Sequence, residues 1–179
     1  MNKMISKVLM VSNDFLPNIG GVSNHILELS RALVNRGVEV RVLHICYSNQ
    51  YPQTEKIDGV DIKRIVLAKD LPNVNTISVK FARFLLAGSK APKYIKLEIA
   101  SFEPEVVHWH DYFHSSLSMR LVKAPCTSVC TNHSSGFLAK YESGWQGRFL
   151  LKFFGSVPEK LIAPSEELAE KTRSLGFNC

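Results

Sequence analysis

Between Lys7 and Ile45 the hydrophobic pattern changes period twice, which restricts the chain to a narrow set of folds. Val8 to Val11 is a short continuous apolar run, read with its flanks as a strand over Lys7–Ser12. Val22, Ile26, Leu29 and Leu33 then recur at helical spacing, with Glu28, Arg31 and Asn35 largely elsewhere. Gly37 stands just past that helix, where a left-handed cap is needed. Val38-Glu39-Val40-Arg41-Val42 returns to a period of two, the mark of a second strand over Val38–Ile45.

The alternation continues downstream. Residues 48–59 are polar and read as loop, and Val60–Val66 as a strand. From Asn75 to Phe102 the pattern is helical, interrupted where Gly88 and Pro92 separate two segments. Val106–Trp109 and Thr127–Thr131 read as strands, Ser115–Val122 and Phe149–Phe154 as helices. Lys160–Ala163 is a last short strand before Pro164, and Ser165 caps a closing helix whose first turn holds Glu166 and Glu167. Repeated strand–helix order predicts an α/β fold with a mostly parallel sheet and helices on both faces. Ligands of such folds bind beyond the carboxyl ends of the strands. Three segments follow strands and are expected on that one rim: Asn13–Gly21, His108–His114 and His133–Gly136.

A chain of 179 residues suffices for one domain with a proper core, or two very small ones. No apolar run approaches the roughly 18 residues of a membrane span, and Val8–Val11 is too short for a signal-peptide core of about 7–15. Cys46, Cys126, Cys130 and Cys179 show neither zinc-site pairing nor the density of a secreted scaffold, so a cytoplasmic location is expected. The net charge of +6 points to an anionic partner. No nucleic-acid motif accompanies it, so nucleic acid is not an expected partner. A membrane surface or a phosphorylated substrate fits that charge equally well.

Chemistry concentrates in the loops. Gly20 and Gly21, at a helix start, let a ligand approach the backbone closely, where unpaired N–H groups suit a phosphate. The helix dipole adds roughly 0.3–1 kcal/mol for an anion there. The pair matches neither G-x-G-x-x-G nor the Walker pattern, which disfavours dinucleotide binding and ATP hydrolysis. His108-Trp109-His110-Asp111, with His114 beyond, invites a metal reading, since His108 and His110 share a strand face. Asp111 follows His110 directly, unlike the metallohydrolase order H-x-H-x-D-H, and no second ligand cluster is evident; no metal is expected. His108 reads as structural, His110 and Asp111 as functional. Ser134 and Ser135 have no visible base partner, so nucleophilic catalysis is disfavoured. Lys80, Arg83, Lys90, Lys93 and Lys96, interleaved with apolar residues, read as a solvated helix face or as a basic surface for anionic lipid. Gly144–Phe154, with Trp145, Arg148, Phe149, Lys152 and Phe153, is a weaker stretch of the same type.

In order and spacing these segments resemble the retaining GT-B glycosyltransferases of the group 1 type, family four. Phe15-Leu16-Pro17-Asn18-Ile19-Gly20-Gly21-Val22, with His25, Leu29, Leu33 and Arg36-Gly37-Val38-Glu39-Val40, is similar to their opening. Val106-Val107-His108-Trp109-His110-Asp111, Thr131-Asn132-His133-Ser134 and Leu161-Ile162-Ala163-Pro164-Ser165 resemble later motifs. The first loop is especially similar to the enzyme subunit that transfers N-acetylglucosamine to phosphatidylinositol.

The resemblance implies a Rossmann-like three-layer α/β/α domain, one half of a GT-B fold with its active site in the cleft between two domains. Residues 1–179 would be the N-terminal, acceptor-binding domain, cut from a longer protein whose donor-binding C-terminal domain is absent here. Such a piece is expected to transfer nothing alone. The resemblance places Gly20 and Gly21 against the donor diphosphate, and His133 beside the transferred sugar as the catalytic residue that helps hold an oxocarbenium-like geometry. Ser23, His110, Asp111 and Ser134 would contact acceptor. The expected partners are a UDP- or GDP-sugar donor, a sugar, lipid or phosphorylated acceptor, and peripherally an anionic membrane at its inner face; no cofactor is expected. Two rivals stand beside this reading. One is a non-catalytic module for an anionic ligand or membrane surface, the other a metal-dependent hydrolase using His108, His110 and Asp111.

Overall fold

The computed structural model describes residues 4–47, 51–67, 82, 85, 89–110, 112–133, 135–155 and 158–179. Seven strands form one sheet: β1 (Lys7–Ser12), β2 (Glu39–Cys46), β3 (Thr54–Ile57), β4 (Val60–Val66), β5 (Val106–His110), β6 (Thr127–Thr131) and β7 (Lys160–Ile162). Their order is β3-β4-β2-β1-β5-β6-β7, and every neighbouring pair except β3–β4 is parallel. Among the described residues the helices are α1 (Gly21–Val34), α2 (Ala91–Phe102), α3 (Tyr112–Val122), α4 (Ser135–Glu142), α5 (Trp145–Gly155) and α6 (Glu166–Ser174).

The fold is Rossmann-like. The chain builds outward from β1 to β2 and β4, then returns to the other side of β1 to lay down β5, β6 and β7. Right-handed crossovers then put the helices of the two wings on opposite faces. Strand alternation supplies the two cores. Val8 and Met10 of β1 face α1, packing with Ile26, Leu27, Val40, Val42 and Ile62. Leu9 and Val11 face the other way, toward a cluster holding Trp109 of β5, Ile95 and Ile99 of α2, Met119 of α3 and Leu168 of α6. The face that α1 turns to the sheet includes two serines, Ser23 and Ser30, beside Ile26 and Leu27. Small side chains there let the helix lie close to the strands.

Two expectations need correction. Residues 48–59 are not all loop, because Thr54–Ile57 forms an antiparallel edge strand on β4. Asp58 and Gly59 make the turn, both at positive φ (50° and 82°), the backbone that two-residue hairpins require. An edge strand is half-solvated, so its polar composition hides it. The helical stretch is interrupted as expected: residues 82, 85 and 89 are helical, Lys90 is a turn and α2 starts at Ala91, with Pro92 in its first turn, where its missing N–H leaves no bond unmade; Gly88 lies outside the described residues. Helix α4 has no counterpart among the helices expected from sequence, and α5 begins at Trp145 rather than Phe149.

The basic stretch reads differently in three dimensions. Lys80 and Arg83 lie outside the described residues. Lys90, Lys93 and Lys96 are exposed, whereas the acid among them, Glu98, is buried at 2% exposure. Glu98 accepts hydrogen bonds from Arg41 Nη1 at 2.7 Å and from Lys63 Nζ, pinning α2 to β2 and β4. A paired buried acid is a packing device, so α2 presents a solvated basic face over an anchored one.

Candidate functional site

β1, β5 and β6 are adjacent and parallel, so Ser12, His110 and Thr131 end on one rim of the sheet. The order in which strands are added reverses between β1 and β5, and open α/β sheets leave a crevice at such a point. The loop after β1 leads to Gly20, the N-cap of α1, and Gly21, its first residue. Gly20 has φ −164°, extended backbone that any residue adopts. A Cβ on Gly21 would meet nothing within 4 Å, and one on Gly20 only Asp14 Oδ2 at 3.9 Å. The glycine pair is therefore not required by the turn itself. Its effect is to leave the helix start bare, with no side-chain cap and no acid in the first turn.

One turn along α1, His25 meets the two other rim segments. Its ring centroid lies 4.7 Å from that of His133 and 5.8 Å from that of His110. His110 Nδ1 and His133 Nε2 are 3.2 Å apart, and His110 Nε2 is 3.3 Å from Met10 Sδ. A thioether only accepts, so His110 carries its proton on Nε2 and accepts at Nδ1 from His133 Nε2–H. That leaves His133 Nδ1 as an acceptor. His108, two residues before His110 on the same strand face, is bonded through Nε2 to Thr131 Oγ1 at 2.7 Å and stacks near His110 at 4.2 Å between centroids.

Burial keeps His108, His110 and His133 neutral. It lowers His108 to about 4, with His25 and His133 adding repulsion, and lowers His133 to about 4, with His25 adding. His110 falls well below 6.5 for the same first reason, with His108, His133 and His25 following. His44, on β2, drops to about 4 through burial and the nearby Arg64 cation, partly offset by a backbone hydrogen bond with Asn13. In the unfolded chain each histidine takes its proton near pH 6.5. The folded chain thus binds fewer protons in the interval, and acidification favours unfolding. Stability should be intact above about pH 6.5 and fall as the pH drops to about 4. A thermal midpoint that stays level across that window would contradict this.

The residues singled out from sequence divide. Gly20, Gly21, His110 and His133 lie on the same rim. Ser23 is fully buried, its Oγ 3.4 Å from Asp14 Oδ1, so it steadies the loop rather than facing the crevice. Asp111 and Ser134 lie outside the described residues. His25 is not among the site residues expected from sequence, although its place four positions after Gly21 puts it one helical turn below the glycine pair. The metal reading of the sequence rests on His108, His110 and Asp111; the histidines that converge are instead His25, His110 and His133. Two other concavities, of about 410 and 730 Å³, involve Pro104, Pro125 and Cys126 at the opposite, amino ends of β5 and β6.

A parallel sheet whose strand order reverses beside an open helix start defines a Rossmann-like α/β domain. Residues 19–179 match Glycosyltransferase Family 4, and the chain belongs to that family. It is 29% identical over 182 residues to a glycogen synthase of Mycobacterium tuberculosis, covering 94% of this chain and 43% of the relative. Over a shorter stretch of 44 residues it is 50% identical to a phosphatidylinositol N-acetylglucosaminyltransferase subunit from Arabidopsis thaliana, covering 25% of this chain and 10% of that one. Its fold resembles sucrose-phosphate synthase from Thermosynechococcus elongatus at a TM-score of 0.72 and 16% identity, covering 94% of this chain and 45% of that chain. The chain thus spans less than half the length of the glycogen synthase it matches.

Proposed function

We propose that this chain is the acceptor-binding, N-terminal half of a retaining glycosyltransferase that uses a UDP- or GDP-sugar, and that it is inactive without a donor-binding second domain. The observation that carries this reading is the meeting of the glycine-led start of α1 with His110 and His133 at the switch point of the sheet. Amides of the first turn suit the donor diphosphate, and the glycines let it come close. His133 Nδ1 is an acceptor suited to a sugar hydroxyl, holding the ring while the anomeric carbon flattens. The anomeric C–O bond to the diphosphate breaks, the acceptor oxygen bonds to that carbon on the same face, and the acceptor's proton passes to the departing phosphate. In this scheme the protein's part is positioning and charge stabilisation.

Gly21 separates this reading from a packing role. Gly21→Ala adds a methyl group to open space, so the fold should hold or gain about 0.4–1 kcal/mol. In the complete transferase the same methyl would stand where the diphosphate approaches, and donor KM should rise about tenfold, or about 1.4 kcal/mol. An unchanged donor KM would remove the diphosphate from this loop.

The acceptor class is a sugar, a lipid or a phosphorylated molecule. Trp145, Phe149 and Phe153 recur every fourth residue along α5 at 77%, 63% and 49% exposure, interleaved with Arg148 and Lys152. An apolar stripe flanked by cations favours contact with an anionic bilayer. The chain should sediment with phosphatidylglycerol vesicles at low salt and lose that binding in Trp145→Ser/Phe149→Ser; equal recovery with and without vesicles would discard the membrane.

A further inference from the structure

We propose that His25, His110 and His133 form a binding site for a zinc-type divalent cation, closing on the same rim. Each offers one ring nitrogen, and the three lie within 4.8 Å of one another. His110 Nδ1 and His133 Nε2 are already 3.2 Å apart. Two nitrogens at about 2.0–2.1 Å from one tetrahedral ion stand roughly 3.3 Å apart, so this pair already has the required separation and needs only a tilt of the rings to aim both lone pairs at the ion. His25 is exposed on α1, and its side chain is the one that must swing inward.

Donor chemistry selects the ion. Imidazole nitrogens suit zinc, copper or nickel, whereas magnesium and calcium require oxygen ligands. Neutral imidazole is the form that ligates a metal. His110 comes pre-set, because its Nε2–H faces Met10 Sδ and its Nδ1 points toward the other two histidines. Three protein ligands leave a fourth position, which opens to solvent on the His25 side. Such an open site takes water or a substrate oxygen.

The ion would alter His133. In the metal-free arrangement His133 donates from Nε2 and accepts at Nδ1. Coordination through Nε2 moves its proton to Nδ1 and breaks the bond to His110. The face offered to a sugar hydroxyl then changes from acceptor to donor, so metal and sugar bind His133 in opposed tautomers. Zinc occupancy is thus expected to inhibit transfer, but the site itself stands on the three histidines and not on the transferase reading.

Zn²⁺ is the probe, titrated into the chelator-treated chain against a chromophoric chelator. The background carries Cys126→Ser and Cys179→Ser to remove the two thiols that are not fully buried. One equivalent of zinc per chain is expected. His25→Ala and His133→Ala should each weaken binding by more than about 100-fold, since losing even an outer-shell partner costs 10–100-fold. His25 is exposed, so its replacement removes a ligand without disturbing the core. Co²⁺ in place of zinc should give a visible d–d spectrum without a thiolate charge-transfer band. No zinc retained, or His25→Ala binding as tightly as the parent, overturns the site. Neither result bears on sugar transfer, which is read separately with the donor and the complete enzyme.

Discussion

Replacing His133 by alanine in the complete transferase should lower turnover about 100-fold while leaving the domain folded, the scale on which a misplaced reacting group costs rate. His133 is only partly buried, follows β6 in a loop, and donates to His110 Nδ1, so its loss opens no large core cavity. Its pKa of about 4 makes it a neutral ring at physiological pH, and its contribution is a directed hydrogen bond and not a formal positive charge. The kinetics should reflect this in two ways. The effect should fall on kcat more than on acceptor KM, and the pH profile should show no break near 6.5 that His133→Ala removes. Unchanged turnover would move the sugar contact to another histidine of the cluster, with His25 the first to try because it is exposed and touches both His110 and His133.

The largest stability loss is expected at Trp109. It is 1% exposed, sits in β5 between Val11 of β1 and Cys130 of β6, and donates from Nε1 to Ser128 Oγ at 2.9 Å. Trp109→Ala should cost about 3–5 kcal/mol, most of it an unfilled cavity and the rest the abandoned serine hydroxyl. Against a typical domain stability of about 5–15 kcal/mol, that approaches unfolding. Trp109→Phe keeps much of the volume and should lose clearly less. The other tryptophan, Trp145, is 77% exposed, so Trp145→Phe leaves Trp109 as the fluorescence reporter of the buried sheet. A denaturation midpoint for Trp109→Ala within error of the parent would mean that the core closes over the gap. Because Trp109 lies between His108 and His110, a partial loss of packing there would also disturb the rim.

Much of the fold is legible in the sequence because its signals are local. The apolar run of β1, the helical spacing of α1, the positive-φ glycine at position 37 and the serine cap of α6 each depend on a few neighbouring residues. Ser165 Oγ accepts from the Leu168 amide, as its place before Glu166 and Glu167 predicts. The failures have physical causes too. β3 is a half-solvated edge whose polar residues mimic a loop, although Asp58-Gly59 is a usable turn signal. Nothing in the local pattern marks Glu98 for burial; only the packing of α2 against β2 and β4 makes it a buried anchor.

By itself the sequence determined an α/β chain with a mostly parallel sheet, a bare glycine pair at the first helix start, and histidines after two later strands. These follow from periodicity and from the few conformations open to each residue type. The tertiary structure alone decided which histidines meet. His25, His110 and His133 are far apart in the chain, and sequence spacing instead paired His108 with His110. Strand order brings β1, β5 and β6 side by side, and α1 carries His25 across the switch point to join them. Such a contact depends on topology and register, long-range quantities that no local pattern encodes.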